Sequence, residues 1–243
     1  LRSKLLGAVS SVSQLIVDFI SFWVAVLPPY RGQAMLIETI LTDPILFLRI
    51  IILVVASVTL HELAHGIAAL SQGDDTPKKS GHMTLNPVIH MGWESIIFLC
   101  IAGMAWGQMP INPARFRHKK ISNILVSIAG PLLNLGLGIL FLLILKLDFS
   151  LFSTRILSSE FLYLGASINL SLFLFNMLPI PPLDGFHVFS EFFPSLKPLE
   201  SSPFGLLALT ILLVSGFSLG LGFIANAVIC AVVPSMQGCQ VVF

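Results

Sequence analysis

Two histidines four residues apart, with a glutamate beside the first, form the most chemically specific stretch of this chain: His61-Glu62-Leu63-Ala64-His65. Residues at that spacing share one face of a helix. Two imidazoles so placed can bind one zinc ion, and Glu62 can take a proton from a water that the metal activates. At average residue usage the pattern arises by chance about once in a hundred chains of this size. Here it falls in an apolar run, where a charged group costs roughly 3 kcal/mol or more and is as a rule functional. The competing reading is a pair of histidines that only hydrogen-bond to neighbouring helices.

A catalytic zinc takes three protein ligands and a water, so a third ligand is needed. His82, His90 and His118 lie in polar connectors and read as solvated or loop-ordering residues. Asp184 stands in Asn176-Met177-Leu178-Pro179-Ile180-Pro181-Pro182-Leu183-Asp184-Gly185-Phe186, a proline-rich break in otherwise apolar sequence. Prolines free backbone groups, which a membrane tolerates only where protein or a cavity satisfies them. An acid beside such a break suggests a built site. An aspartate before glycine is also an ordinary turn residue, and the residues alone leave both readings open. His187, one turn further on, reads as a supporting group or as a space-filler.

The elements that must carry these residues are membrane spans. Of 243 residues, 56% are hydrophobic and 10% charged, against about 25% charged in a soluble domain. The mean hydropathy is +0.94. The chain is therefore expected to be an integral, multi-pass membrane protein surrounded by the lipid bilayer. Net charge is +1, which argues against a nucleic-acid partner. The basic cluster Arg115, Arg117, Lys119 and Lys120 reads as a topology signal. Cys100 and Cys230 read as packing residues, and the spacing leaves a Cys230–Cys239 bridge open.

Crossing the hydrocarbon core takes about 20 apolar residues, and five stretches reach that length: 5–28, 45–70, 122–147, 161–180 and 204–234. The first reads as a span, not as a cleavable signal. The segment Trp93–Met109 is shorter, contains Glu94, Gly103 and Gly107, and is closed by Pro110. If it dips in without crossing, nine basic residues share one side (Arg2, Lys4, Lys78, Lys79, Arg115, Arg117, Lys119, Lys120, Lys197) and four lie on or near the other (Arg31, Arg49, Lys146, Arg155). Positive residues favour the cytoplasmic side, so the start is cytoplasmic and the end lies opposite. That topology brings Asp184 to the side where His65 lies and puts Glu160 on the far side. The expected fold is all-α and polytopic: five to six transmembrane helices and a short re-entrant or strand-like segment near the site, with Gly81–Leu85 as the candidate strand. Residues 1–243 form one domain, with a core over about 45–193 and extra spans 5–28 and 204–234.

These motifs together resemble the site-2 protease family of intramembrane zinc metalloproteases. The resemblance covers residues 48–190. Beside the pentapeptide, Leu183-Asp184-Gly185 with Asn176 and Pro179 looks like the family's second metal motif, and Ala129-Gly130-Pro131-Leu132-Leu133-Asn134 is similar to its Gly-Pro-x-x-Asn helix start. Gly81–Pro87 and Pro110–Arg117 look like the compact prokaryotic branch, which lacks an added regulatory domain. The resemblance implies one Zn2+ per chain held by His61, His65 and Asp184, Glu62 as general base, and Asn176 as an assistant near the reacting carbonyl. It also implies a membrane-protein or peptide substrate that pairs as an added strand near Gly81–Pro87, in a bacterial or archaeal cytoplasmic membrane. The chain departs from the branch at Gly92-Trp93, where an Asp-Pro pair is expected, and at Gly107-Gln108, where a Lys-Pro pair is expected. The alternatives are a membrane zinc transporter or zinc-binding protein, which needs further ligands along the spans, and a membrane zinc protease of the prenyl-tail type, with a later glutamate such as Glu191 as third ligand.

Overall fold

A computed structural model describes residues 36–103, 105–147, 158–200, 205, 207–208, 211–212, 217–234 and 239. The expected span 5–28 lies outside the described residues, as do 204, 206, 209–210 and 213–216 of the expected span 204–234. Every regular element described is helical, and no strand occurs among these residues.

A short helix, α1 (Leu36–Thr42), leads into α2 (Pro44–Ser71). Asp43 caps α2 by accepting from the Leu46 N–H at 2.9 Å, and Pro44 fills the first helical position, where no N–H is needed. Beyond a single turn, α3 (Thr76–Lys79), the chain enters α4 (Pro87–Ala102), capped by Asn86 and interrupted at Gly92 (φ 70°, ψ 164°). Gly103 ends α4 in the left-handed conformation, φ 76°, which suits a residue without a Cβ. The chain then runs back as an extended strap over 105–112. A 3₁₀ turn at Pro113–Arg115 precedes α5 (Lys119–Lys146); α6 (Ser159–Asn176), α7 (Asp184–Phe192), a 3₁₀ turn at Pro194–Leu199 and α8 (Phe217–Val232) follow.

The strap returns to the end of α2, from which the 73–112 excursion began. Asp74, fully buried, accepts from the Asn112 N–H at 2.7 Å and from Thr76 at its backbone and hydroxyl, and the Arg117 N–H donates to the Gln72 carbonyl. Asp75 pairs with Lys79 and Arg115, whose hydrogen bonds and charges hold its carboxyl below the usual carboxylate range. The expected strand at Gly81–Leu85 is absent. Its backbone groups bond locally instead: His82 N–H to the Pro77 carbonyl, Thr84 N–H to the His82 carbonyl, and the Thr84 carbonyl to His90 Nε2.

The helices α2 and α5, 28 residues each, are long and apolar enough to cross a membrane. The expected span at 161–180 is a helix only to Asn176 and carries Glu160, Asn169 and Asn176. It can hold these polar groups because α2, α5 and α8 pack around it. Its approach to α5 is close: a Cβ on Gly138 would meet Leu170 at 3.0 Å, and one on Gly165 would meet Phe141 at 2.8 Å. Lipid tails are as apolar as leucine, so in a bilayer packing and polar contacts hold helices together, the latter on the order of 0.6 kcal/mol each. Three such contacts are Asn134 Nδ2 to Asn169 Oδ1 (3.1 Å), Tyr163 Oη to Asn226 Oδ1 (2.6 Å) and the Arg49–Glu160 ion pair (2.7 Å). Cys230 is bonded to Cys239 in a disulfide, the bridge that the spacing left open beside a packing role for Cys230.

Candidate metal centre

The last third of α2 presents His61, Glu62 and His65, all buried. Asp184 reaches them from the first turn of α7, one hairpin beyond the end of α6. The Pro179–Leu183 break stops α6, and Gly185 lets α7 fold back tightly: a Cβ there would strike the backbone of Met177 and, at 2.7 Å, the carbonyl of Leu178. The Leu-Asp-Gly spacing thus has a steric cause. Asp184 Oδ2 lies 3.1 Å from His61 Nε2 and 3.3 Å from His65 Nε2, and the two nitrogens are 3.0 Å apart.

Three features of this set fit a zinc ion. Ligand atoms bonded at about 2.0–2.1 Å in tetrahedral array stand about 3.3 Å apart, close to the spacing found. Each imidazole has its other nitrogen occupied, His61 Nδ1 at 2.5 Å from Asn134 Oδ1 and His65 Nδ1 at 2.7 Å from the Val126 carbonyl. Both acceptors take an N–H, which leaves the two Nε2 lone pairs for a metal. Finally, Gly130 faces the set across a gap: a Cβ added there would lie 2.5 Å from His61 Nε2 and closer still to His65 Nε2. Among the described residues, His61, His65 and Asp184 are the one group of three or more His, Cys, Asp or Glu residues that could hold a metal.

The remaining sequence candidates lie elsewhere. His82 is half-buried and bonds Ser80, His90 is buried against the Thr84 carbonyl, and His118 precedes α5. Glu160 is at the opposite end of the bundle with Arg49. Glu191 accepts from Asn123 Nδ2 at 2.9 Å and from Lys197 Nζ at 2.8 Å. Burial alone would raise its carboxyl's pKa, but these two partners hold it below the usual range. His187 pairs with Glu200 at 3.4 Å. Asn176 lines the cavity with its amide donating to the Leu172 carbonyl at 3.0 Å. The expectation for the ligand set is that Asp184→Ala purified from detergent carries much less than one zinc per chain, while Glu191→Ala keeps the wild-type content. Elemental analysis of the two variants side by side distinguishes them, and the reverse result would transfer the third ligand to Glu191.

Sequence reasoning did not assign a role to Gly130, Asn134 or Asn169. The Gly-Pro-x-x-Asn stretch was visible as a motif, but the close approach of Gly130 to the two imidazoles and the acceptor that Asn134 offers His61 depend on α5 crossing α2 at this level. A polar Asn134 and Asn169 within apolar helices were the available signal.

A cavity of about 670 Å3 opens onto the donor set. Val58, Leu172, Phe175 and Leu183 line its deeper, apolar part, while Asn123, Ser127, His187 and Glu200 contribute polar groups. Glu62 faces this space and so can reach a water or peptide bound beside the donors.

Comparison with known proteins agrees with this geometry. Residues 150–219, which include Asp184, match the profile of Peptidase family M50. The chain is 37% identical over 177 residues to YwhC of Bacillus subtilis (strain 168), named as a candidate zinc metalloprotease, a match covering 68% of this chain and 80% of YwhC. It is 28% identical over 166 residues to Rip2 of Mycobacterium tuberculosis (strain ATCC 25618 / H37Rv), named in the same way, covering 64% of this chain and 62% of Rip2, so it spans less than two thirds of that relative. No solved structure matches. Identity of 37% across most of YwhC, together with the M50 match, makes the chain a member of peptidase family M50, the membrane-embedded site-2 family of zinc metalloproteases.

Proposed function

We propose that this metalloprotease cuts a peptide bond within or beside a transmembrane segment of a membrane-protein substrate, with His61, His65 and Asp184 holding one zinc and Glu62 as general base. The observation that carries this reading is depth. His61 lies ten residues before the end of α2, and Gly130 eleven residues after the start of α5. At 1.5 Å per residue His61 sits about 15 Å and His65 about 9 Å below the end of α2, well inside a hydrocarbon core about 30 Å thick. Both helices are long and apolar enough to span it.

Zinc, when bound, supplies Lewis acidity toward the attacking water and the scissile carbonyl. Glu62 takes the proton from that water and later passes it to the leaving amine. Asn176, at the cavity wall, offers an amide to the carbonyl oxygen: one N–H of its Nδ2 donates to the Leu172 carbonyl, and the second is a further donor. The polar residues of the cavity, Asn123 and Ser127 on the first turns of α5, support entry of water from the end where α5 begins.

That end is basic. Lys78, Lys79, Arg115, Arg117, Lys119, Lys120 and Lys197 belong to the connectors and helix starts around it, whereas the Cys230–Cys239 disulfide follows α8 past Tyr163 at the other end. Basic residues favour the cytoplasmic side and disulfides the oxidising side. Both support a site that opens to the cytoplasm, with α4 and the strap entering and leaving on that side and α6 and α8 as further spans of a multi-pass protein. Single-span membrane proteins reconstituted in vesicles with the zinc-loaded chain test this. Mass analysis of the fragments is expected to put the cut in the cytoplasmic half of the span or just beside it. Cleavage confined to soluble loops would overturn the intramembrane reading.

A further inference from the structure

We propose that Ser95 is a positioning residue for Glu62, acting through the strap that crosses the site; the proposal rests on the reading of Glu62 as the general base. The strap over 105–109 belongs to no helix and pairs with no strand, so side chains and isolated carbonyls must hold it. Ser95, fully buried on α4, holds it twice with one hydroxyl: Oγ accepts from the Trp106 N–H at 2.8 Å and donates to the Trp106 carbonyl at 2.7 Å. Two residues on, the Gln108 N–H donates to the His90 carbonyl at 2.9 Å. The anchors thus flank Gly107 on both sides.

Gly107 is the residue pressed on Glu62. A Cβ there would lie 2.7 Å from both Glu62 Cγ and Oε1 and 3.0 Å from Cδ. The glutamate stem, with several free torsions, is therefore walled in by strap backbone on the face away from α2. Ser95 is separated from Glu62 by the strap and acts through the position of Gly107. Removing the hydroxyl takes both of these bonds from the Trp106 backbone, which is only partly buried, and so releases this point of the strap to move. The carboxylate would then be free to turn from the geometry that reaches both the attacking water and the departing amine.

The test uses the full zinc-loaded chain and a single-span membrane protein that the wild type cuts. Ser95→Ala is expected to keep its zinc and to lower kcat on the order of 10-fold or more, as a misplaced catalytic group does, with KM changed less than about two-fold. Placed in Glu62→Gln, it is expected to add no further loss, because groups that act as a unit are non-additive. Gly107→Ala keeps the Ser95 hydroxyl and its two bonds, pushes the Glu62 side chain aside from Cγ outward, and is expected to reproduce the kcat lesion, which keeps the test decisive if Ser95→Ala fails to fold. Wild-type kcat in both variants, loss of zinc together with activity, or an equal loss in the Glu62→Gln background would overturn the proposal. Equal turnover by wild type and Glu62→Gln would instead remove the base assignment itself, an outcome visible without any Ser95 variant.

Discussion

Glu62→Gln is expected to bind zinc as the wild type does and to lose proteolysis by about 10²–10⁴-fold, the range that a positioned general base contributes. Glutamine has the same shape and fills the same space under Gly107, so the strap has no cause to move. Glu62 stands outside the trio whose donor atoms face one another, His61 Nε2, His65 Nε2 and Asp184 Oδ2, so metal affinity does not depend on its charge for a ligand bond. The amide cannot accept a proton at neutral pH, and neither the water nor the leaving amine is served. Zinc per chain by elemental analysis, beside cleavage of a reconstituted single-span substrate, separates the two properties. Turnover by the variant close to wild type would sink the assignment of Glu62, and loss of zinc would move it into the ligand set.

Gly130→Ala is expected to remove zinc from the protein while the helices stay in place. The added methyl would stand 2.5 Å from His61 Nε2 and closer still to His65 Nε2, in the space that the two lone pairs share. An ion bonded at about 2.0–2.1 Å to both nitrogens would overlap that methyl, so accommodation requires α5 to retreat or the imidazoles to turn away from Asn134 and Val126. Alanine is a better helix former than glycine by about 1 kcal/mol, which offsets part of any packing cost and favours a folded, metal-poor protein. Elemental analysis with circular dichroism in detergent reads both quantities. A full zinc complement in a folded Gly130→Ala chain would show that the ion sits elsewhere than between the two histidines.

The sequence read the chemistry better than the architecture. The pentapeptide was legible because a helix places residues four apart on one face whatever surrounds it, and α2 runs through His61 and His65 without a break. Asp184 was legible as an acid beside a proline break, but its pairing with the histidines rested on a topology built from charge counts. The candidate strand at Gly81–Leu85 is not formed, because five residues of sequence say nothing about whether a partner edge exists, and here the backbone groups bond locally. Span number was harder to read for a related reason: α6 tolerates Asn169, Ser167 and Ser171 because protein, not lipid, surrounds it, and no local pattern encodes what encloses a helix.

By itself, then, the sequence determined a membrane-bound chain, a zinc-type pair of histidines with its glutamate, and an aspartate poised at a helix break. These depend on residue type and short-range spacing, which covalent geometry fixes. Only the tertiary structure decided that Asn134 holds the tautomer of His61, that Gly130 leaves room for an ion, and that Gly107, fixed by Ser95 through Trp106, lies on Glu62. Each of these joins residues 11 to 73 positions apart, and such contacts arise from how helices cross and where a strap is pinned, which depends on the packing of the whole bundle.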